Sequence, residues 1–175
     1  MGFGAVFITV AFVLIIGLST YMLVTGTNIT LTTISDSLHA LAEKQNERVK
    51  TEIELGTVSV TNNSDHSIIN LSINNTGATK VLKSEFVHID LFVYFHSPAA
   101  GTDYKWLPYT TPGDLNDNEW TVVNITPDII NPGIFDPGEQ MNTGIRVYPA
   151  ISEGTVNWLK VVMPNAVSDS KYFNS

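Results

Sequence analysis

The chain has 175 residues, with 9 Lys and Arg against 17 Asp and Glu, and it contains no cysteine. The net charge of −8 disfavours nucleic acid and anionic lipid as partners, and the lack of cysteine excludes disulfides and thiolate metal sites. Beyond the apolar N-terminus, the remaining length fits one domain of common size.

The N-terminal region is uncharged over its first 35 residues and almost wholly apolar over Met1–Val24. A helix over Met1–Val24 would be about 36 Å long, enough to cross a hydrocarbon core of about 30 Å. A cleaved signal peptide is disfavoured because the run is long and no Lys or Arg precedes Lys44. We expect a membrane anchor or the core helix of a pilin-like filament, two roles that composition does not separate.

In the region after the apolar run, some sequence features disfavour a helix and others favour one. The β-branched stretch Ile29–Ile34 disfavours a helix, whereas apolar residues recur at helical spacing from Ser35 onward. We expect one long helix that continues as a stalk to about Lys50, with two helices joined by a loop over 25–34 as the alternative. Residues 1–50 are thus predicted to be helix and stalk, and residues 51–175 an extracellular β-domain.

The β-domain is predicted from short alternating segments separated by turns rich in Pro, Gly and Asn. The predicted strands are Ile53–Thr61, Ser67–Asn74, Phe86–Phe95, Trp106–Tyr109, Trp120–Ile125, Gln140–Tyr148, Thr155–Met163 and Ser170–Phe173. This spacing, without helical periods in between, is typical of an immunoglobulin-like sandwich. The predicted fold is therefore an N-terminal transmembrane α-helix extended as a stalk, followed by an all-β immunoglobulin-like sandwich.

Five N-x-S/T tripeptides are possible N-glycosylation sites, at Asn28, Asn62, Asn70, Asn74 and Asn124. In the strand from Ser67 to Asn74, alternation places Asn70 and Asn74 on one face and apolar residues on the other. Two sequons then share a solvent face, as glycosylation requires. We expect an exported, glycosylated surface.

A protein-contact patch is predicted on the strand Phe86–Phe95. One face of that strand is uniformly apolar and should lie in the core. The opposite face mixes aromatic and polar residues, and we assign four of them to the patch: Phe86, His88, Phe92 and Tyr94. Cover by the long loop over 97–118 is the competing explanation.

No catalytic, cofactor-binding or metal-binding residue is predicted. The hydrolase, P-loop and dinucleotide motifs are absent from the sequence. The acidic segment 114–119 lacks the Gly and the final Glu of a calcium loop. A tethered sugar-binding or hydrolase domain remains an alternative, because aromatic residues flank this segment: Tyr104, Trp106, Tyr109 and Trp120.

Several segments together resemble a known family. The uncharged helix opening at Met1, the helix exit Gln45–Ile53, the segment Asn74–Gly77 and the C-terminal part from Phe135 to Asp169 are similar to archaellum (archaeal flagellum) accessory proteins of the F type. That family lies within the broader archaellin and type IV pilin-like superfamily.

The resemblance implies a non-enzymatic motility protein with no cofactor. Members are single-pass proteins of the archaeal cell membrane, with the β-domain in the space beneath the S-layer. They bind the S-layer protein, form dimers and act with a stator partner of the G type to hold the archaellum motor. The long insertion 97–118 departs from the family pattern, so no S-layer contact residue is transferred.

The alternative is an archaellin or type IV pilin-like filament subunit, whose N-terminal helix packs in the core of a helical filament. Such subunits are made with a Lys/Arg–Gly processing site ahead of the apolar run. The sequence shows no such site and begins with Met1, so we expect the stator role.

Overall fold

The computed structural model describes residues 3–113 and 115–175. It contains one long helix followed by eight strands, with one short 3₁₀ helix between the second and third strands. The elements are α1 (Phe3–Lys50), β1 (Ile53–Asn62), β2 (Ser67–Asn75), the 3₁₀ helix (Lys83–His88), β3 (Asp90–Ser97), β4 (Gly101–Leu107), β5 (Glu119–Thr126), β6 (Gln140–Val147), β7 (Val156–Val162) and β8 (Ser168–Asn174). The chain divides into two compact units, Met1–Gln45 and Asn46–Ser175.

Helix α1 is helical without a break through the β-branched stretch, so the single-helix prediction is confirmed and the two-helix alternative is wrong. The threonine hydroxyls explain why propensity is overridden. Thr25, Thr30 and Thr33 each donate to the carbonyl four residues earlier, at 2.8–2.9 Å. These side chains therefore place no unsatisfied polar group on the helix surface.

By length and composition, the segment Val6–Lys50 of α1 qualifies as a helix that can cross a membrane. The uncharged part from Phe3 to Ser35 is about 50 Å long at 1.5 Å per residue. That exceeds a hydrocarbon core of about 30 Å by roughly 20 Å. Apolar side chains surround the helix and are exposed within this chain.

The eight strands form two antiparallel four-stranded sheets, with the orders β1-β2-β6-β5 and β4-β3-β7-β8. The predicted architecture of a long helix followed by a β-sandwich is confirmed. The core between the sheets contains large buried side chains from both layers, including Leu71, Leu91, Trp120, Ile145 and Leu159. Burial of these side chains is the main stabilising contribution to the domain.

The open side of the sandwich at β1 is closed by side chains from β8. The β1–β2 register shifts between Leu55 and Val58, which leaves backbone groups without ladder partners. The Leu55 N–H donates to Asp169 Oδ2 at 2.8 Å, and Lys171 Nζ donates to the carbonyls of Leu55 and Gly56 at 3.0 and 2.6 Å. The backbone groups of Leu55 and Gly56 at the bulge therefore find hydrogen-bond partners in side chains of β8.

The third predicted strand is wrong in its first half. Residues Lys83–His88 form a 3₁₀ helix, and the strand begins only at Asp90. The carboxylate of Glu85 accepts the N–H of Leu82 at 2.7 Å, while the Glu85 N–H donates to the Leu82 carbonyl at 2.8 Å. These paired bonds turn the chain where alternation alone predicted extension.

The last turn of α1 is joined to the β-domain by backbone hydrogen bonds. The Ala78 N–H donates to the Lys50 carbonyl at 2.7 Å, and the N–H groups of Thr76 and Gly77 donate to Glu52 at 3.1 and 3.0 Å. Asn165 Nδ2 donates to Thr51 Oγ1 at 2.6 Å. Residues 46–50 fall in the same compact unit as the strands, and the predicted boundary at residue 50 stays a prediction.

Candidate binding surface

The predicted contact patch is only partly assembled. Phe86 lies in the 3₁₀ helix and is 2% exposed, with its ring 6.2 Å from that of Tyr109. It is a core residue, so its assignment to a contact patch is wrong. His88 is exposed but lies outside the strand, whereas Phe92 and Tyr94 are on the outer face of β3. Whether a protein binds these residues stays a prediction.

The outer face of the β4-β3-β7-β8 sheet carries a larger aromatic group than the sequence predicted. Strand pairing aligns Tyr94 with Tyr104 and with Trp158, and Trp158 with Tyr172. One aromatic side chain from each strand thus forms a row across the sheet, about 14 Å wide at a strand spacing of about 4.8 Å.

A second row lies beside the first. Phe92 is aligned with Trp106 on one side and with Lys160 on the other. We define the aromatic face as the six aromatic residues of both rows: Phe92, Tyr94, Tyr104, Trp106, Trp158 and Tyr172. Three of them are more than half exposed, at 54% for Tyr104, 55% for Trp106 and 72% for Tyr172.

Local contacts hold the rings of the aromatic face in place. The ring of Phe92 stacks on that of Tyr104, with centroids 5.8 Å apart and planes 13° apart. Trp106 Nε1 donates to Asp90 Oδ1 at 2.8 Å. Ordered aromatic side chains lose little conformational entropy on binding, which makes such a face suited to protein recognition.

Charge is scarce on the aromatic face of a strongly acidic domain. Along the described strands, the outward positions of this sheet carry one lysine, Lys160, and one carboxylate, Asp90. The ion pair of Lys105 with Asp103, at 3.1 Å, lies at the edge strand β4. A charge-poor aromatic surface of this kind resembles the centre of a protein interface.

The outer face of the β1-β2-β6-β5 sheet has the opposite character, because Ser, Thr, Asn and Gln dominate it. A shallow depression of about 200 Å³ lies there, lined in part by Thr57, Asn70 and Asn142. Asn124 Oδ1 accepts a hydrogen bond from Asn142 Nδ2 at 2.7 Å. This face is predominantly polar, and its outward charged residues are Glu54, Glu119 and Arg146.

The strand pairing brings three of the five sequon asparagines onto this polar face. Asn70 and Asn74 share it through β2, and Asn124 joins them through its pairing with Asn142. Asn70 and Asn124 are exposed, and Asn74 is half-buried. Asn28 lies exposed on α1, apart from the sheet, while half-buried Asn62 accepts a hydrogen bond from Ser67 Oγ at 2.6 Å. Glycosylation at all five positions stays a prediction.

The fold separates the four aromatic residues on which the sugar-binding alternative rests. Trp120 is fully buried, and Tyr109 packs against it with ring centroids 5.0 Å apart. Tyr104 and Trp106 instead belong to the aromatic face. Burial raises the pKa of the Tyr109 phenol, as expected for a group at the edge of the core.

The acidic segment near residue 117 makes contacts within the protein. Asp117 Oδ1 accepts from Arg146 Nε at 2.6 Å, and Glu119 Oε2 accepts from the Asn116 N–H at 3.0 Å. Asp114 lies outside the described residues. Within 3–113 and 115–175 there is no group of three His, Cys, Asp or Glu side chains placed to hold a metal ion.

No protein-family model matches this chain, and no curated protein matches it. Among solved structures, it is similar to the archaellum periplasmic stator protein FlaG from Sulfolobus acidocaldarius, with 17% identity over 70% of this chain and 99% of that chain, at a TM-score of 0.46. The complex of FlaF and FlaG from the same organism matches with 18% identity over 70% and 89%, at a TM-score of 0.48. The archaeal flagellum of Methanospirillum hungatei strain JF1 matches with 15% identity over 99% of this chain and 93% of that chain, at a TM-score of 0.52.

These three structural neighbours are archaellum proteins. The F and G types are not distinguished by them. At these identities the shared property is the fold, and the Methanospirillum hungatei match extends it over nearly the whole chain. The Methanospirillum hungatei match therefore supports a helix-plus-sandwich fold for this chain.

Proposed function

We propose that this chain is a non-enzymatic, membrane-anchored structural protein of an archaellum. In this proposal α1 spans the archaeal membrane once and the β-domain lies beneath the S-layer. There the domain binds the S-layer protein and acts as a stator with a partner of the G type. The observation that carries the proposal is the exposed aromatic face on a domain that bears an apolar helix.

The anchor is supported by the chemistry of α1. A helix satisfies all its backbone groups internally, which the hydrocarbon core demands. The hydroxyls of Thr25 and Thr27 bond to carbonyls of their own helix at 2.8–3.2 Å. These two hydroxyls can therefore enter lipid with their hydrogen bonds made.

The docking role is supported by the contrast between the two sheets. Tyr and Trp dominate the energetics of protein interfaces, because they bury large areas while keeping a polar tip. These residues are concentrated on the aromatic face, whereas the sequons Asn70, Asn74 and Asn124 lie on the opposite sheet. Glycans on the polar face would leave the aromatic face free for a partner. The strand order β1-β2-β6-β5 and β4-β3-β7-β8 is also compatible with an immunoglobulin-like sandwich.

Binding to isolated S-layer sheets tests this proposal. The full chain in detergent is sedimented with the sheets, as wild type and as two matched variants. Tyr172→Ser removes a 72% exposed side chain from the aromatic face, and Val123→Ser removes a 62% exposed one from the opposite sheet. Tyr172→Ser should weaken binding about tenfold or more, as for an interface hot spot, and Val123→Ser should leave it unchanged. Equal binding by all three proteins would exclude the aromatic face as the contact surface.

A filament subunit is the second candidate, favoured by one observation. The Methanospirillum hungatei match covers 99% of this chain, and so includes the helix as well as the sandwich. In a filament, α1 would pack against copies of itself. Electron cryo-microscopy of surface appendages, with mass spectrometry of their subunits, distinguishes the two roles. A chain found in the filament is a subunit, and one found only with membrane and S-layer fractions is a stator component.

A further inference from the structure

The part of α1 closest to the β-domain carries a stripe of large apolar side chains. Leu31, Ile34, Leu38 and Leu41 follow one another at intervals of three, four and three residues. This is the spacing of the a and d positions of a heptad, which places all four on one side of a helix. We call them the stalk seam. Each is more than half exposed within this chain.

The stalk seam differs from the helix before it. Up to Val24 apolar residues surround the helix, as lipid requires. Beyond Leu31, the remaining positions of the helix are mostly polar or small, and the charged ones are Asp36, Glu43, Lys44, Glu47, Arg48 and Lys50. A single apolar stripe on a polar helix is typical of contact with another helix rather than with lipid.

We infer that the stalk seam is the contact surface of a parallel coiled coil between copies of this chain. The inference rests on the membrane orientation proposed above, because a common N-terminal anchor sets every copy parallel and in the same register. Anchoring also raises the effective concentration of neighbouring helices, which offsets the short length of the seam. Two heptads alone would be marginal in water.

The charge pattern favours identical copies over a different occupant. The e and g positions beside the stalk seam are occupied by Ser35, Ser37, Ala42 and Lys44. The acidic residues Asp36 and Glu43 fall at f, opposite the seam. Two copies can therefore approach along the seam without placing like charges against each other, although the whole chain carries a net charge of −8.

Single cysteines provide a direct test, because the chain has no native cysteine. The full-length protein is reconstituted in lipid vesicles as Leu38→Cys and Leu41→Cys on the seam. Ala40→Cys and Glu43→Cys, on the far side of the same helix, are the matched controls. Facing a and d positions bring the Cα atoms within disulfide reach, so mild oxidation should give about tenfold more dimer from the seam cysteines. Equal cross-linking at all four positions would overturn the inference.

A second measurement does not depend on oxidation. Sedimentation equilibrium of the full chain in detergent should give a dimer or larger assembly for the wild type and for Ala40→Asp, and a monomer for Leu38→Asp. A monomeric wild type, or a Leu38→Asp variant that stays associated, contradicts the inference. Thermal unfolding of the β-domain should be the same in all three proteins, which shows that the substitution acts on the stalk.

The same variants separate this inference from the proposed function. Binding to S-layer sheets is measured on Leu38→Asp alongside Tyr172→Ser. If Leu38→Cys shows no preferential cross-linking while S-layer binding persists, the seam is wrong and the stator proposal stands. If the seam cross-links but no variant binds the S-layer, the stator proposal is wrong and the seam stands.

Discussion

Two consecutive residues of β3 show how the same strand serves the core and the surface. Leu91 is fully buried between the sheets, while Phe92 lies on the aromatic face and stacks on Tyr104. Leu91→Asp should unfold the domain, because an unpaired carboxylate in the core costs several kcal/mol. Phe92→Asp should leave the domain folded and weaken S-layer binding. Circular dichroism with thermal unfolding, followed by sheet sedimentation, checks both outcomes.

The opposite environments of these residues make the pair its own control. If Phe92→Asp unfolded the domain as completely as Leu91→Asp, the aromatic face would be core covered by another part of the assembly. Its proposed role in partner binding would then be wrong.

The Tyr109 phenol makes the stability of the folded domain depend on pH in the alkaline range. Burial raises its pKa above the usual value of about 10. The folded state then holds the phenol proton more tightly than the unfolded state. Stability is therefore full below pH 10 and falls as pH rises through the raised folded pKa. Tyr109→Phe should show a smaller loss of urea midpoint between pH 9 and 11 than the wild type. An equal loss in both proteins would contradict this account.

Sequence reasoning at this scale found Phe92 and Tyr94 but missed Trp158 and Tyr172. Alternation along β3 shows which side chains share a face within that strand. The aromatic face, by contrast, takes one residue per strand from four strands, and their alignment is set by register. Register depends on turns and packing far apart in sequence, so periodicity within one strand could not reveal it. Phe86 was misplaced because the 3₁₀ turn at Glu85 interrupts the alternation.

At the scale of elements, the β1 bulge depends on β8. Asp169 accepts the Leu55 N–H across the sandwich at 2.8 Å. Asp169→Ala should lower the free energy of unfolding by about 1–3 kcal/mol, because it leaves that backbone donor without its charged acceptor. Ser170→Ala, at an exposed neighbouring position, should change it by less than about 0.5 kcal/mol. Urea unfolding of both variants measures the difference, and equal stabilities would show that the bulge does not need this bond.

The entry of the chain into the β-domain has no room for a side chain at Gly77. A Cβ there would lie 2.4 Å from the Glu52 nitrogen and 2.5 Å from the Lys50 carbonyl oxygen. Gly77→Ala should destabilise the domain by about 1–3 kcal/mol, as overpacking against backbone does.

Gly144 provides the matched control for this substitution. A Cβ at Gly144 would meet only side chains, those of Val123 at 3.4 Å and Leu115 at 3.9 Å. Gly144→Ala should therefore change the thermal midpoint much less than Gly77→Ala. A larger effect at Gly144 would mean that the close approach at Gly77 is readily relieved.

The order and type of elements could largely be predicted from sequence, except at the 3₁₀ helix Lys83–His88 and at β4. Strand β4 begins at Gly101, inside the segment interpreted as a long loop. It is an edge strand whose exposed residues give only a weak alternating signal. In α1, the Thr-rich stretch has poor helix propensity, but hydroxyl bonds such as that from Thr30 to the Gly26 carbonyl satisfy it locally. Propensity scales average over contexts in which such bonds are absent.

For the molecule as a whole, the positions of the sequon asparagines predict which of them carry glycans. Asn70 and Asn124 are exposed on the polar face and should carry glycans in the native source. Asn62 is half-buried and bonded to Ser67, and Asn28 lies beside the stalk seam, so both should be unmodified. Glycopeptide mass spectrometry measures the occupancy of each site. A glycan at Asn28 with none at Asn70 or Asn124 would contradict the division of the molecule into a glycosylated face and a binding face.

The surplus length of α1 gives the protein an axial freedom. An uncharged segment about 20 Å longer than the hydrocarbon core can take more than one depth without drawing a charge into lipid. The hydroxyls of Thr25 and Thr30 are already hydrogen-bonded to carbonyls of their own helix. Moving either side chain from the interface into lipid therefore leaves no hydroxyl without a hydrogen-bond partner. Copies joined along the stalk seam can thus shift in depth together, over a range limited by the polar amide of Asn28. If the β-domain binds the S-layer as proposed, the gap between membrane and S-layer could vary locally while the protein stays attached to both.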